Sequence, residues 1–402
     1  MADVPLRSNR DFSLLQAGQL LSNLGTQSTA IAYPLLVLAL TGSATNAGTV
    51  GFARGLPLAL LLIPAGIAAD RYSRKRMMIV ADVVRALAVG GLVLAIAADQ
   101  TPFWLIVVVA LVEGSGAAAF MAARPGAVRA VVPPQQLPAA AGAQTGLDGA
   151  IQLAGPPLGG ALFGLGRALP FLADVVSYTA STVSLLAMRT PFQELREGDD
   201  APLRRRLTEG FRFLWSRPFI RTTGLLFSLG NFIGPGLVLV VVVVGRRQGL
   251  SPAEIGALTA TFGACLLVGS FMSSAVRRAL TVRAIIMLEL WTGIGCAIFL
   301  VRPSVYVLVA GMAPSILMIP STNSVVHGYR IAMTPDRLLG RSESVRSTLS
   351  LAIAPLGPLI AGVLLSQSSP RLTVAVFSAL SLVLALWGSL SPAVRRAPSL
   401  AD

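Results

Sequence analysis

Ionisable side chains interrupt several long apolar runs of this sequence. Glu113 lies at the midpoint of one run, Asp148 lies about a third of the way along another, and Arg54 lies near the middle of a third. A charge at the centre of a bilayer costs about 2.5–3.5 kcal/mol on insertion scales, so each such residue needs a partner or a function. A buried carboxyl group that alternates between an apolar environment and a nearby cation can bind and release a proton.

Two interpretations of these acids are open. Glu113 is our first candidate for a proton-binding or cation-recognition residue, and Asp148 is the second. The alternative is a fixed ion pair, in which Glu113 meets Arg54 or Arg85 and serves only to orient helices. Glu289 is expected to make such a structural pair.

Uncharged amides form a stripe along the first apolar segment. They are spaced by three, four and four residues, which places them on one helical face. They are Gln16, Gln19, Asn23 and Gln27. Such a stripe indicates the wall of a wet cavity, with hydrogen bonds between helices as the alternative. Asn231 and Asn323 are candidates for the same lining in later segments.

The composition requires that most of the chain lies in a membrane. Of the 402 residues, 54% are hydrophobic and 12% are charged, whereas soluble proteins average about 25% charged residues. Spans of about 20 residues fit a bilayer, and the sequence predicts twelve. They are roughly 12–40, 46–69, 77–98, 103–122, 138–165, 168–189, 222–245, 251–276, 284–301, 304–326, 347–367 and 371–391. We therefore expect an all-α membrane protein.

Basic residues predict the orientation of the chain. An even number of spans puts both termini on one side, where 25 of the 32 Lys and Arg residues lie, while the opposite loops hold five. Because positively charged loops stay in the cytoplasm, we expect a multi-pass protein of the cell (inner) membrane with cytoplasmic termini. The net charge of +14 then follows the topology and predicts contact with the lipid bilayer rather than nucleic acid.

An internal repeat divides the chain into halves. The stretch 155–160 reads G-P-P-L-G-G and the stretch 357–362 reads G-P-L-I-A-G, at an offset of 202 residues. The longest polar segment separates six spans from six. We expect an N-terminal six-helix bundle (1–189), a cytoplasmic linker (190–221) and a C-terminal six-helix bundle (222–402). Parallel repeats of this kind bind substrate at mid-depth and rock one half against the other; close helix packing alone is the alternative explanation of the glycines.

The stretch 66–76, between the second and third spans, reads G-I-A-A-D-R-Y-S-R-K-R. It resembles motif A of the major facilitator superfamily, G-x-x-x-D-R-x-G-R-R/K, with Ser73 in place of the second glycine. The residues that match the pattern or extend it into the third span are Gly66, Asp70, Arg71, Arg74, Arg76, Asp82 and Arg85.

The resemblance implies a cytoplasmic gate. Asp70 would lie near the start of the eleventh span, around residues 341–348, where the helix dipole favours an anion. Arg71 and Arg74 would bind acids or lipid headgroups nearby. The alternative is that these cations only set the orientation of the chain.

A second motif narrows the resemblance. Gly155, Pro156, Gly159 and Gly160 match motif C, the G-P-x-x-G-G signature of the superfamily's antiporters. Further stretches are similar to the drug:proton antiporter branch that contains macrolide-efflux proteins and the enterobactin exporter. They are N-R-D-F (9–12), D-V-V-R (82–85), T-E-G-F-R-F-L (208–214) and P-D-R-L-L-G-R (335–341). The resemblance implies two six-helix bundles with spans 1, 4, 7 and 10 lining a cavity, so that Glu113 faces the pathway.

These observations favour a secondary active transporter. The sequence contains no G-x-x-x-x-G-K-[ST] phosphate loop and no Cys/His ligand cluster, so we expect no enzyme activity, no cofactor and no metal. The leading hypothesis is a monomeric proton-coupled exporter of amphipathic small molecules, such as drugs, macrolides, siderophores or secondary metabolites, by alternating access. An importer or uniporter of the same fold is the alternative, and a polytopic membrane protein without transport activity is the third.

Overall fold

The computed structural model describes residue 6, residues 9–190, residue 192, residues 203–335, residue 348 and residues 350–397. Long helices follow one another through the first half. They are α1 (Arg10–Thr41), α2 (Ala44–Arg71), α3 (Arg74–Ala97), α4 (Phe103–Val131), α5 (Leu137–Leu165) and α6 (Leu169–Ala187).

The second half begins with a short helix in the polar segment, α7 (Leu203–Ser216). Among the helices that follow, one span is broken in the middle: α10 and α11 are joined by a 3₁₀ segment at Gly293–Ala297. The helices are α8 (Pro218–Arg247), α9 (Pro252–Ala279), α10 (Val282–Thr292), α11 (Ile298–Val301), α12 (Val305–Met333), α13 (Leu356–Gln367), α14 (Pro370–Leu390) and α15 (Pro392–Arg395).

Membrane-spanning segments dominate this architecture. Within the described ranges, eleven helical segments are long and apolar enough to cross a membrane. The remaining predicted span, α5, is a continuous helix of 29 residues, but Gln144, Asp148 and Gln152 interrupt its apolar sequence. The predicted all-α membrane fold is confirmed, and the chain is a multi-pass membrane protein.

One helix extends well beyond its predicted span. The fourth span was expected to end at residue 122, but α4 continues to Val131. Arg124 and Arg129 therefore lie on a helix and not in a loop. The difference has a physical reason: the apolar run measures the hydrocarbon thickness, whereas the helix continues past the apolar layer, through Pro125 and Gly126, where Ala123, Ala127, Val128 and Val131 are buried.

The chain groups into two compact units. The first comprises Met1–Gly198 with Leu250–Ala260, and the second comprises Asp199–Gly249 with Thr261–Asp402. In the first unit, α1 packs against α5 and α6, and α4 packs against α2 and α3. In the second unit, α8 packs against α13 and α14, and α10 packs against α12 and α14. The domain boundaries 1–189, 190–221 and 222–402 stay a prediction.

The repeated Gly-Pro motif makes a close helix contact within each unit. On α5, a side chain at Gly159 would overlap the backbone carbonyl oxygen of Ser28 on α1. On α13, a side chain at Gly357 would overlap the carbonyl oxygen of Phe232 on α8. Small residues at such positions let helix backbones approach closely in a membrane. The motif thus joins α5 to α1 in the first unit and α13 to α8 in the second.

Motif C also has a contact beyond α1. A side chain at Gly160 would meet the backbone of Gly256, in the first turns of α9. Those turns lie in Leu250–Ala260, the segment that groups with the first unit. This glycine motif therefore supports two backbone contacts inside one unit.

The N-R-D-F stretch fastens the start of α1. Asn9 caps the helix by accepting from the Phe12 N–H at 3.1 Å, and its amide donates to the carbonyl of Val131 at 2.6 Å. The Asp11 carboxylate accepts from the N–H of Thr190 at 2.8 Å and from its hydroxyl at 2.5 Å. These bonds attach α1 to the ends of α4 and α6, and the buried side chain of Phe12 packs in the same region.

We predict that Gly159→Ala lowers the melting temperature of the purified protein in detergent. The added methyl group must push α1 and α5 apart, and overpacking of this kind costs about 1–3 kcal/mol. Gly164→Ala is the matched control, because it lies on the same helix and a Cβ there meets nothing within 4 Å. Equal melting temperatures for the two variants would contradict the close contact.

Candidate functional site

A buried ion pair joins α2 and α4. The Arg54 guanidinium donates to Glu113 Oε1 from Nη2 at 2.6 Å and from Nε at 3.1 Å. The Glu113 side chain is 2% exposed and that of Arg54 is 19% exposed. Of the two partners considered for Glu113, the structure selects Arg54. Such a pair allows two charges to lie within an apolar helix bundle.

Two tyrosines complete the surroundings of Glu113. Tyr33 on α1 donates to Oε2 at 2.8 Å, and Tyr178 on α6 donates to Oε1 at 3.3 Å. The Tyr178 oxygen also lies 3.1 Å from the Thr26 hydroxyl. Since the single hydrogen of Tyr178 is directed to Glu113, Thr26 donates to Tyr178. Both carboxylate oxygens of Glu113 therefore accept hydrogen bonds, and the donors come from α1, α2 and α6.

Arg54 binds α1 as well as Glu113. Its Nη2 atom donates to the backbone carbonyl of Thr26 at 2.8 Å and to the Thr29 hydroxyl at 3.2 Å. Its guanidinium carbon lies 5.4 Å from the centre of the Tyr33 ring, within the range of a cation–π contact. One guanidinium thus links α1, α2 and α4.

Asp174 on α6 lies next to the Arg54–Glu113 pair. It was not among the site residues predicted from the sequence. It is fully buried. The hydroxyls of Thr29 and Ser177 lie 3.2 Å from its two carboxylate oxygens, and Gly25 on α1 leaves room for this packing. In the part of the chain that the structure describes, Asp174 forms no ion pair. It lies near the outer end of the sixth predicted span, and an acid inside an apolar run is itself a signal of function.

A second buried pair lies on α3. Arg85 contacts Asp82 one turn earlier, and their side chains are 4% and 0% exposed. The Arg85 guanidinium carbon is 4.3 Å from the centre of the Tyr178 ring. Gly116 on α4 makes space for it, because a side chain there would collide with the Arg85 side chain. The sequence grouped Asp82 and Arg85 with the gate. In the structure Arg85 lies over the ring of Tyr178, which donates to Glu113.

Together these residues form what we call the polar cluster. Its charged members come from α2, α3, α4 and α6, and its hydroxyl-bearing members come from α1 and α6. They are Arg54, Asp82, Arg85, Glu113 and Asp174, with Thr26, Thr29, Tyr33, Ser177 and Tyr178. Every member belongs to the first unit.

Asp148, the second candidate acid, has a different environment. Its nearest cation is Arg124 on α4, at 3.7 Å, and its side chain is 43% exposed. A half-exposed pair at this distance contributes little to stability. The described contacts give Asp148 no bond to the polar cluster, so its place in a proton pathway stays a prediction.

The amide stripe of α1 lies on the same helix as Thr26 and Thr29. Gln19 is buried, and neither of its amide atoms has a hydrogen-bond partner among the described residues; the same holds for Oε1 of Gln16. Asn23 is half-buried, and Gln27 packs its Cβ against Gly155. Hydrogen bonds between helices therefore do not account for Gln19, and the wet cavity wall stays a prediction.

Motif A has an exposed acid and a partly buried arginine. Asp70 is 65% exposed and lies 3.6 Å from Arg74, whose Nε donates to the carbonyl of Ala69 at 3.2 Å. Arg71 and Arg76 are exposed. The expected gate partner, residues 341–348, lies outside the described residues except for Thr348, so the gate contact stays a prediction. Nothing lies within 4 Å of a Cβ built at Gly66.

The second unit carries candidate polar residues on α8, α10 and α12. Asn231 donates to Ser350, and Asn323 is exposed. Glu289 has a buried Oε2 atom without a hydrogen-bond partner and faces Thr322. The structural pairing expected for Glu289 is not found among the residues described. The described residues of the whole chain contain no group of His, Cys, Asp and Glu side chains able to hold a metal ion.

The sequence is similar to a family of membrane transporters and to two efflux proteins. The family model for the Major Facilitator Superfamily matches residues 16–278. The multidrug efflux pump Tap of Mycolicibacterium fortuitum is 28% identical over 414 residues, which cover 94% of this chain and 92% of that protein. Macrolide efflux protein A of Streptococcus pyogenes is 23% identical over 363 residues, which cover 87% of this chain and 88% of that protein.

A solved structure shares the fold. It is the inward-facing, unoccupied form of a bacterial homolog of the human lysosomal transporter Spinster, with a TM-score of 0.75 and 15% identity. The match covers 97% of this chain and 98% of that one. The predicted family and its all-α membrane fold are confirmed: this chain belongs to the major facilitator superfamily.

Proposed function

We propose that this transporter exports amphipathic small molecules in exchange for protons. The observation that carries the proposal is the polar cluster, in which Glu113 and Arg54 form an ion pair inside the first helix bundle. Efflux is named for two relatives, the pump Tap and macrolide efflux protein A. An ionisable network of this kind is typical of proton relays in membrane transporters.

The energy source follows from what the sequence contains. With no phosphate loop in the printed sequence, uphill movement must use an ion gradient. One elementary charge that crosses 100 mV supplies about 2.3 kcal/mol, which corresponds to roughly a 40-fold concentration ratio. One proton per substrate is therefore sufficient for useful export.

The ion pair also supports a means of coupling. A change in the charge of an acid of the polar cluster alters how Arg54 divides its hydrogen bonds between Glu113 and its other acceptors, the Thr26 carbonyl and the Thr29 hydroxyl. Those acceptors lie on α1, the helix with the amide stripe. Proton binding would thereby favour a different position of α1, as alternating access requires.

The substrate class rests on the amides and on the relatives. Uncharged amides on an apolar helix suit molecules that are mostly apolar with dispersed hydrogen-bonding groups, as drugs, macrolides and siderophores are.

We propose a monomer in the cell membrane, with both termini cytoplasmic and the domain boundaries given above. Import or uniport by the same fold is the second candidate.

We predict that an uncoupler abolishes efflux of ethidium and erythromycin from cells that express the parent protein. Glu113→Gln should lose uphill efflux, since the amide cannot exchange a proton or pair with Arg54. Cellular accumulation of the two probes, with and without uncoupler, measures both effects. Efflux that persists in the presence of uncoupler would refute proton coupling.

A paired variant separates a functional role from a structural one. Glu113→Gln leaves a buried arginine without its partner, which costs about 3–5 kcal/mol, whereas replacing both members of a buried pair can be nearly neutral. Arg54→Gln/Glu113→Gln should therefore recover the melting temperature but not uphill efflux. Recovery of both would assign the pair a purely structural role. Asp99→Asn, in an exposed turn, is the matched acid-to-amide control.

The direction of transport separates export from import. In everted membrane vesicles with an acidified lumen, an exporter accumulates erythromycin inside, because the cytoplasmic face is outward and protons leave the lumen as the substrate enters. We expect accumulation that collapses when the gradient is dissipated. Accumulation in right-side-out vesicles with an acidic exterior would instead establish import.

A further inference from the structure

We propose that Asp174 is the proton-binding residue of this transporter, and that Thr29 communicates its protonation state to the Arg54–Glu113 pair. The inference rests on the proposed proton-coupled export and names the group that carries the proton. It differs from the sequence analysis, which favoured Glu113.

Charge balance in the polar cluster provides the first argument. Arg54 and Arg85 supply two positive charges, while Asp82, Glu113 and Asp174 supply three carboxyl groups. Glu113 contacts Arg54, and Asp82 contacts Arg85, so each guanidinium already has an acid. The third acid adds an uncompensated negative charge in an apolar bundle, which is unfavourable unless it binds a proton.

The surroundings of Asp174 identify it as the third acid. It faces Thr29 on α1 and Ser177 on its own helix, and both guanidiniums and the Glu113 carboxylate act on it through space without contacting it. The phenol of Tyr178 on α6 belongs to the same group of side chains. Among the acids of the polar cluster, Asp174 alone lacks a guanidinium contact in the described structure.

The hydrogen-bond geometry provides the second argument. Each hydroxyl near Asp174 has one hydrogen and a closer acceptor elsewhere. Thr29 lies 3.0 Å from the Thr26 carbonyl but 3.2 Å from Asp174 Oδ2. Ser177 lies 2.7 Å from the backbone carbonyl of Asp174 but 3.2 Å from its Oδ1. When both hydroxyls donate to these carbonyls, an ionised Asp174 receives no full hydrogen bond.

A protonated Asp174 satisfies the same contacts. A carboxylic acid is a donor as well as an acceptor, so the proton on Oδ2 can be donated to the Thr29 oxygen. Thr29 then accepts from Asp174 and from Arg54 Nη2, its two lone pairs are filled, and its own hydrogen goes to the Thr26 carbonyl. The neutral acid therefore completes the network.

Release of the proton changes what Thr29 does. An ionised Asp174 needs a donor, and Thr29 is the nearest one on α1, so its hydrogen must leave the Thr26 carbonyl. The Arg54 guanidinium, at 2.8 Å, is then the only side-chain donor to that carbonyl among the described residues, beside the N–H that a helix carbonyl receives from four residues later. Deprotonation of Asp174 thus draws Arg54 toward α1 and away from Glu113. A single hydroxyl couples the two sites without proton transfer between them.

The position of Asp174 along α6 suits a proton from outside. It lies in the second turn of Leu169–Ala187, the end that the proposed topology places at the extracellular side. A proton bound from that side and released to the cytoplasm drives export of a substrate in the opposite direction.

Infrared difference spectroscopy on the purified protein, as a function of pH, tests the assignment. We expect a carboxylic acid C=O stretching band that disappears at alkaline pH, is lost in Asp174→Asn and persists in Arg54→Gln/Glu113→Gln. Thr29→Val, which removes the acceptor while keeping the side-chain shape, should shift the band to higher frequency. Asp99→Asn should leave the band unchanged. Glu289, whose buried Oε2 atom has no hydrogen-bond partner among the described residues, can contribute a band of its own, so the spectra are recorded in a Glu289→Gln background. A titrating band that survives Asp174→Asn in that background would overturn the inference.

Transport by the same variant provides a second readout. Asp174→Asn imitates the protonated acid permanently, so proteoliposomes should retain exchange of erythromycin across the membrane but lose accumulation driven by a proton gradient. Gradient-driven accumulation by Asp174→Asn, in folded protein, would also overturn the inference. Failure of the proposed function is distinct: it would appear as uncoupler-insensitive efflux in the parent.

Discussion

The cost of placing charge inside a membrane governs the structure of the first unit. Arg54 and Glu113 must meet, and α2 and α4 must approach closely enough to let them do so. Gly114 permits this approach, because a side chain there would overlap the carbonyl oxygen of Arg54. Gly116 provides the same space for Arg85. The G-S-G stretch directly after Glu113 is thus a steric consequence of the charges that surround it.

The two units share their helix packing but not their ionic chemistry. The repeated Gly-Pro motif brings α5 against α1 at Gly159 and α13 against α8 at Gly357. Glu289 of the second unit has no guanidinium partner in the described ranges, whereas Glu113 has Arg54. Helix contacts therefore follow the repeat, while the groups able to bind a proton and hold it against a counter-charge are concentrated in the first unit.

Apolar runs predict helix positions well, because the bilayer thickness sets their length, but they do not predict which face of a helix meets which neighbour. Glu113 and Arg54 were identifiable as buried charges, while the choice between Arg54 and Arg85 required three-dimensional packing. Asp148, the second candidate from the sequence, is half-exposed, whereas Asp174, which was not selected, is fully buried. The partners of Asp174 are hydroxyls from α1 and α6, which carry no distinctive signal in a sequence rich in serine and threonine.

Helix α1 is the element through which proton binding can reach the substrate. It carries Thr26 and Thr29, which contact the polar cluster, and one turn or more earlier it carries the amides of Gln19 and Asn23. A proton site that is fully buried cannot compete with a substrate for the same surface, so coupling must pass through a shared rigid element. A helix whose hydroxyls change hydrogen-bond partners with the charge of one acid has two defined arrangements, which is what a coupling free energy between separate sites requires.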